Sequence, residues 1–186
     1  MCRTSDSKIF IDSTSPITVM DMRTKLRRLK AQQGLDLVVV DYLQLMKGDR
    51  LHHKRGKKIS EICQSLKDLA RELCLPIVIL SQVTRMPEYR SNHRPCIGDL
   101  PGSGVIERDA DVILFIYRDE VYDRSEDNPE RGIAEIIIAK QRNGPTGLVK
   151  LAFDEKYSCF TNLPRTVIDE HTICDDDRTI NSENYE

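Results

Sequence analysis

Three stretches of this 186-residue chain are apolar almost without interruption, and they constrain its fold more than any other feature. They are LDLVVVD at 35–41, IVILSQ at 77–82 and DVILFIY at 111–117. None shows the alternation of a half-exposed strand, and such runs are typical of parallel strands covered on both faces. Amphipathic patterns predict helices over 18–33 and 58–74. The alternation of strands and helices predicts an α/β domain with a mostly parallel sheet flanked by helices.

The rest of the chain adds a hairpin and a long loop. Residues 8–12 predict a further short strand, and 133–140 with 147–153 predict an antiparallel hairpin, joined by a turn containing Asn-Gly. The segment 83–104 is polar and rich in Pro and Gly. A loop of that length is often functional. A short helix is expected at 103–109.

Composition and charge exclude several classes of protein. With 39% hydrophobic and 31% charged residues, the chain is neither a membrane protein nor wholly disordered. Its six cysteines form no CxxC pair, so we expect reduced thiols and no structural metal site. Net charge is −2, but residues 165–186 hold two basic and seven acidic residues. We therefore predict one domain over 1–164 and an acidic, disordered tail over 165–186.

Two of the predicted strands end in residues suited to nucleotide chemistry. Ligands of open α/β sheets bind beyond the carboxyl ends of the strands. Asp41 follows an apolar strand in the Walker B pattern, whose carboxylate holds Mg²⁺, usually through water, beside nucleotide phosphates. The Gln82 amide could sense a γ-phosphate by hydrogen bonding. The residues alone leave open that either side chain simply ends a strand.

Lys140 and Arg142 form a second candidate group. Because side chains of an extended segment repeat every two residues, both cations are expected on the same face. They could clamp phosphate oxygens or could form a solvated hairpin tip. The residues alone do not decide between the two.

Five segments, through their order and spacing, indicate a particular protein family. They are DYLQLM at 41–46, LSQ at 80–82, DAD at 109–111, YRDEVY at 117–122 and GIAEIIIAKQRNGPTG at 132–147. From about residue 9 to residue 160, the chain closely resembles the C-terminal motor domain of DnaB-type replicative DNA helicases. The resemblance implies a RecA-like core in a hexameric ring that uses ATP and Mg²⁺ to move 5′ to 3′ on single-stranded DNA and unwind duplex during replication. It also implies a primase and a helicase loader as partners, a cytoplasmic place in a bacterial or organellar replisome, and no membrane association.

The resemblance assigns roles to four residues. Asp41 matches the Walker B aspartate that positions Mg²⁺, and Gln82 matches the polar sensor between the nucleotide and the DNA-facing loops. Lys140 and Arg142 match a trans-acting pair that reaches the nucleotide of the neighbouring subunit. An arginine there stabilises charge that develops on the transferred phosphoryl group.

The DNA-facing loop departs from the family pattern. Where the family typically reads DLRESG, this chain reads DLPGSG, so Pro101 and Gly102 replace an arginine and a glutamate. A cation that could contact phosphate is lost, and proline removes a backbone donor. DNA contact is therefore expected from Ser103 and Gly104, with Arg108 as a nearby cation.

The largest departure from the family is a missing motif. No GxxxxGK[ST] occurs in the chain, whereas the family's Walker A loop and catalytic glutamate precede the segment that matches residue 9. We expect a motor domain without its P-loop strand, with a gap between 76–81 and 112–117. Such a chain alone would not hydrolyse ATP. The alternative is a non-enzymatic module that joins a ring of intact subunits and modulates it.

Overall fold

The computed structural model describes residues 8–48 and 55–163. Two compact units can be distinguished. Among the described residues, the first contains 8–48, 55–113 and 139–146, and the second contains 114–138 and 147–163. The predicted acidic tail at 165–186 lies outside the described residues, so its boundary stays a prediction.

The first helix, α1 (Val19–Gln33), begins and ends where its sequence signals place it. The Asp21 backbone N–H donates to the Thr18 hydroxyl at 3.1 Å, and the Thr18 N–H donates to the Asp21 carboxylate at 3.3 Å. This reciprocal capping box satisfies N–H groups that a helix start leaves unpaired. Gly34 ends the helix with a φ of +78°, which glycine adopts without strain.

The core of the first unit lies between two helices and a two-stranded parallel sheet. Strand β1 (Val38–Val40) is followed by α2 (Arg55–Leu73) and strand β2 (Ile77–Ile79), and Val39 lies opposite Val78 in the ladder. The apolar stripe of α2 packs into the core at every fourth or third residue, which keeps one helix face inward. The buried core residues are Val19, Met22, Val38, Leu43, Met46, Ile59, Ile62, Leu66, Leu69, Leu73 and Leu75.

Two predictions about the strands of this unit are wrong. Burial on both sheet faces is contradicted by Val39 and Val78, which are 57% and 46% exposed, because the described helices pack against the opposite face. The strand predicted at 8–12 does not form. Its residues have no strand partner, and Ile9 and Ile11 are exposed instead of packed.

The long polar loop leads into the short helix α3 (Ser103–Asp109), as predicted. The loop contains two 3₁₀ turns, at Met86–Tyr89 and Ile97–Asp99. Directly before α3, Gly102 has a φ of +76°, in the left-handed region that favours glycine.

The second unit contains most of a four-stranded sheet. Its order is β3 (Val112–Tyr117), β4 (Ile133–Gln141), β5 (Gly147–Asp154) and β6 (Cys159–Thr161). Strands β4 and β5 form the predicted antiparallel hairpin, and β6 was not predicted. In the described part of the chain no ladder joins β2 to β3. Among residues 8–48 and 55–163, no helix has both the length and the apolar character that crossing a bilayer requires.

Candidate nucleotide and DNA site

Asp41 and Gln82 lie at one edge of the parallel sheet, as the sequence predicts. The Leu80 N–H donates to the Val40 carbonyl, and the Leu43 N–H donates to the Leu80 carbonyl, both at 2.9 Å. These bonds continue the pairing of β1 and β2 beyond the strands. They hold together the two segments that carry Asp41 and Gln82, at the carboxyl ends where parallel sheets bind ligands.

The Gln44 side chain links the segment after β1 to the segment after β2. Sequence reasoning did not predict this role. Its amide nitrogen donates to the Ser81 hydroxyl at 2.9 Å, and its amide oxygen accepts from the Gln82 N–H at 3.3 Å. Gln44 lies on the 3₁₀ turn Leu43–Leu45 that follows β1. The sequence feature that could have pointed to Gln44 is its position three residues after Asp41 in the segment DYLQLM.

The side chains of Asp41 and Gln82 are both exposed and have no side-chain partner in the part of the chain that the structure describes. No cluster of three or more His, Cys, Asp or Glu residues with metal-binding geometry occurs there either. Mg²⁺ keeps several waters and is commonly bound through one or two carboxylates plus substrate phosphates. One free carboxylate therefore fits an ion that arrives with a nucleotide, and it does not fit a metal cage made of protein alone.

Lys140 and Arg142 both reach the C-terminal end of α3, in agreement with their predicted common face. The Lys140 ammonium donates to the Glu107 carbonyl and, at 2.8 Å, to the Ala110 carbonyl. An Arg142 guanidinium nitrogen lies 3.4 Å from the Arg108 carbonyl. Carbonyls at a helix end lack intrahelical partners and carry partial negative charge, so cations stabilise them.

Asp111 joins Arg142 to α2. One of its carboxylate oxygens is 3.0 Å from an Arg142 guanidinium nitrogen, and the other accepts a hydrogen bond from the Lys67 ammonium. The Lys67 hydrogen bond, helped by the nearby charges of Lys67 and Arg142, holds the pKa of the Asp111 carboxyl below its usual range. DAD contributed to the family resemblance, but its link to Lys67 was not predicted.

The predicted DNA-facing residues occupy both ends of α3. Ser103 and Gly104 form its first turn, and a Cβ built on Gly104 would meet nothing within 4 Å. Arg108 lies in the last turn, where its guanidinium donates to both carboxylate oxygens of Asp109 at 2.8 and 3.1 Å. This hydrogen-bonded pair lowers the pKa of the Asp109 carboxyl.

A polar cleft of about 330 Å³ opens beside the Arg142 side chain. Four of its seven lining residues are cationic and two are acidic, so the lining carries a net positive charge. The lining comes from α2, from the end of α3 and from the residue after β4. Its members are Gln64, Lys67, Asp68, Arg71, Arg108, Asp109 and Arg142.

Asp99 organises the loop between the sheet edge and α3. Its side chain is 1% exposed and accepts two hydrogen bonds from the Arg90 guanidinium, at 2.6 and 2.7 Å. These bonds, with a further one from the Cys96 N–H, hold the pKa of the Asp99 carboxyl below its usual range. The Asp99 carbonyl also accepts from the Thr84 N–H at 2.8 Å. Sequence reasoning recognised the loop but not the pairing of Arg90 with the buried Asp99.

The YRDEVY segment is structural in the second unit. The Tyr117 hydroxyl donates to Asp119 at 2.6 Å, and its ring stacks on Tyr122 with centroids 5.8 Å apart. Glu120 accepts from Arg118 and, at 2.9 Å, from the Gly132 N–H. These contacts tie the end of β3 to the start of β4.

Relatives of this chain include the replicative DNA helicase DnaB of Geobacillus stearothermophilus, 50% identical over 162 residues, and DnaC of Bacillus subtilis, 49% identical over 162 residues. Each alignment covers 87% of this chain and 35% of the relative, so the chain spans about a third of their length.

Solved structures with the same fold include an ATPase domain that matches with a TM-score of 0.74 and 42% identity, over 79% of this chain and 52% of that one. A DnaB-like replicative helicase, described with its interactions with primase, gives a TM-score of 0.73 at 42% identity over 79% of this chain and 36% of that one. The predicted α/β fold class is thus confirmed as that of DnaB ATPase domains. The family model for the DnaB-like helicase C-terminal domain matches residues 1–162, and the chain belongs to that family.

Proposed function

We propose that this chain works as part of a ring-shaped, ATP-dependent replicative DNA helicase that moves 5′ to 3′ on single-stranded DNA. One observation carries the proposal. Asp41 and Gln82 form one group at the sheet edge, and Lys140 and Arg142 form another at the end of α3. Among the described residues, no hydrogen bond or ion pair joins the two groups. Two separated half-sites suit a nucleotide bound between neighbouring subunits.

Each group has a distinct task in this proposal. Asp41 holds a hydrated Mg²⁺ that accompanies ATP, and Gln82 hydrogen-bonds near the γ-phosphate. Lys140 and Arg142 turn to the nucleotide of the next subunit, where positive charge stabilises the transferring phosphoryl group. Ser103, Gly104 and Arg108 face the DNA, so α3 connects the DNA contact to the trans-acting cations. Primase and a helicase loader act on the ring, which operates in the cytoplasmic replisome.

The phosphate cradle must come from another polypeptide segment. A P-loop surrounds phosphates with backbone N–H groups and a lysine, and this sequence has no GxxxxGK[ST]. Asp41 alone leaves Mg²⁺ mostly to water. We therefore expect the purified 186-residue chain to show no ATPase activity above background. Robust turnover that disappears with Asp41→Ala would contradict this.

A second candidate function follows from the same missing motif. The chain would enter a ring of intact helicase subunits and change their ATPase without hydrolysing ATP itself. This module would use its Lys140 and Arg142 face on a neighbour that has a complete P-loop.

Mixing experiments test the trans role that both candidates share. The chain is titrated into the DnaB protein of G. stearothermophilus, and ATP hydrolysis is followed. The wild-type chain should change the rate, and Arg142→Ala should change it differently. Arg28→Ala is the matched control, because Arg28 is an exposed cation on α1 with no ion pair in the described residues. Identical rates with and without every form of the chain would overturn the trans role.

A further inference from the structure

We propose that Asp111, itself held by Lys67, is the positioning residue for the trans-acting Arg142. This inference rests on the proposed function, because it assigns a support to one cation of the proposed trans site. It adds two residues, one on α2 and one immediately before β3, that neither motif reasoning nor the comparisons assign to the reaction.

Arg142 is attached to Asp111 through both backbone and side chain. The Arg142 N–H donates to the Asp111 carbonyl at 2.9 Å, so the residue after β4 is fixed against the start of β3. The guanidinium is then bound by the Asp111 carboxylate at 3.0 Å. Two attachments to one residue restrict both where the arginine begins and where its head group lies.

Lys67 fixes the carboxylate that fixes the arginine. It projects from α2, is 23% exposed, and donates to the Asp111 oxygen that does not contact Arg142. A carboxylate held at both oxygens cannot rotate freely. Through Asp111 and Lys67, the Arg142 side chain is therefore held in a fixed position relative to α2, a 19-residue helix whose apolar face lies in the core.

The arrangement keeps Arg142 available. Its side chain is 49% exposed, and the cleft of about 330 Å³ lies beside it. A guanidinium has five N–H donors, and the contacts with Asp111 and the Arg108 carbonyl leave others for a ligand. A phosphate oxygen can therefore approach without first breaking every existing contact.

Lys67 also keeps the group formed by Lys67, Asp111 and Arg142 positively charged. Asp111 alone would neutralise Arg142 and reduce its attraction for a phosphate. With Lys67 the three residues carry a net charge of +1, and the rest of the cleft lining adds no net charge, because Asp68 and Asp109 balance Arg71 and Arg108. Asp111 thus orients the arginine without removing its electrostatic effect.

Complementation in mixed rings tests the inference. The partner is the DnaB protein of G. stearothermophilus with alanine at the position aligned with Arg142, so that this chain supplies the missing cation. Wild-type chain should restore ATPase activity, and Arg142→Ala should not. Asp111→Asn should reduce the restored kcat about tenfold with little change in KM, because misplacement of an arginine that acts in the transition state affects chemistry more than binding.

Graded variants separate positioning from damage to the fold. Asp111→Glu should recover part of the lost kcat, and Lys67→Met should lower it about threefold because Asp111 keeps its bond to Arg142. Asp36 is an acidic residue before β1 with no partner in the described residues, so Asp36→Asn should restore the same kcat as the wild-type chain. Native mass spectrometry should show equal entry of all variants into mixed rings.

The outcomes distinguish this inference from the proposed function. If the wild-type chain restores no activity, the trans role is wrong and the inference falls with it. If wild type restores activity and Asp111→Asn restores it equally, the trans role stands and the positioning role is overturned. Loss of ring entry specific to Asp111→Asn and Asp111→Glu would also overturn it, because the residue would then serve assembly.

Discussion

The sheet edge and the end of α3 hold their functional side chains in opposite ways. At the sheet edge, the backbone is fixed by hydrogen bonds and by Gln44, while the Asp41 and Gln82 side chains have no partner among the described residues. At the end of α3, Lys140 and Arg142 both contact carbonyls of their own chain, and Arg142 also pairs with Asp111. One region presents free groups on a fixed backbone, and the other presents groups that already have internal partners.

This difference matches two kinds of ligand contact. A hydrated ion needs a carboxylate whose charge is not already neutralised by a protein cation. Under the proposed function, a long, flexible cation acts on a neighbouring subunit, and it gains from being ordered beforehand because less rotamer freedom is then lost on binding. The two regions should therefore respond differently to mutation, and the following changes test that.

The strongest effect is expected in the loop that connects the regions. Asp99→Ala should lower the free energy of unfolding by about 2 kcal/mol, because it leaves the Arg90 guanidinium without its buried carboxylate. Urea denaturation followed by circular dichroism measures the change. A loss below about 0.5 kcal/mol would show that the pair does not organise the loop.

Acid provides the control for this variant. The pKa of Asp99 is lower in the folded chain than in the unfolded one. Its contribution is therefore present above about pH 4, the unfolded value, and is lost as the pH falls through the folded pKa. The difference between wild type and Asp99→Ala should narrow below about pH 4.

A smaller, local effect is expected at the end of α3. Lys140→Met removes the charged donor to the Glu107 and Ala110 carbonyls and should cost about 1 kcal/mol. Hydrogen exchange should accelerate about fivefold in the last turn of α3, where the Ala110 N–H bonds to Ile106. Lys47 is an exposed lysine elsewhere in the first unit, so the control variant Lys47→Met should leave this exchange unchanged. Unaltered exchange in Lys140→Met would mean that the lysine does not support the helix end.

The smallest effect is expected at the sheet edge. Asp41→Asn should change the free energy of unfolding by less than about 0.5 kcal/mol, because no described side-chain contact is lost. Gln44→Met is the contrasting variant, since it removes the bonds to Ser81 and Gln82 and should cost about 1 kcal/mol. Thermal melts of both variants measure this. An equal loss of unfolding free energy in both variants would show that the exposed Asp41 side chain and the hydrogen-bonded Gln44 side chain do not differ in their contribution to stability.

Features with local causes could be predicted from the sequence. The capping box of α1, the helix at 103–109 and the hairpin at 133–153 depend on neighbouring residues, and all three form. Lys140 and Arg142 reach the same end of α3, as predicted, although Arg142 lies in the turn just after β4. The adjacency of Asp41 and Gln82 follows from the parallel pairing of their strands.

Features that depend on distant partners could not be predicted. Lys67 and Asp111 are 44 positions apart, and Gln44 and Ser81 are 37 apart, so no periodic pattern links them. Asp99 has the sequence context of a loop acid, and its burial depends on Arg90 folding back over it. An unbroken apolar run shows that a strand is hydrophobic, but it does not show whether both faces are covered, as Val39 demonstrates.

The turn before α3 limits which side chains residue 102 can carry. A Cβ at Gly102 would lie 3.1 Å from the Ile59 methyl group, and its φ of +76° costs an L-residue about 1–2 kcal/mol. The glutamate that the family pattern has at position 102 is therefore not compatible with this turn as it stands. A glutamate at 102 would first require the turn to change its backbone. Position 102 is thus closed to larger residues for as long as this turn keeps its present backbone, whatever charge they would bring.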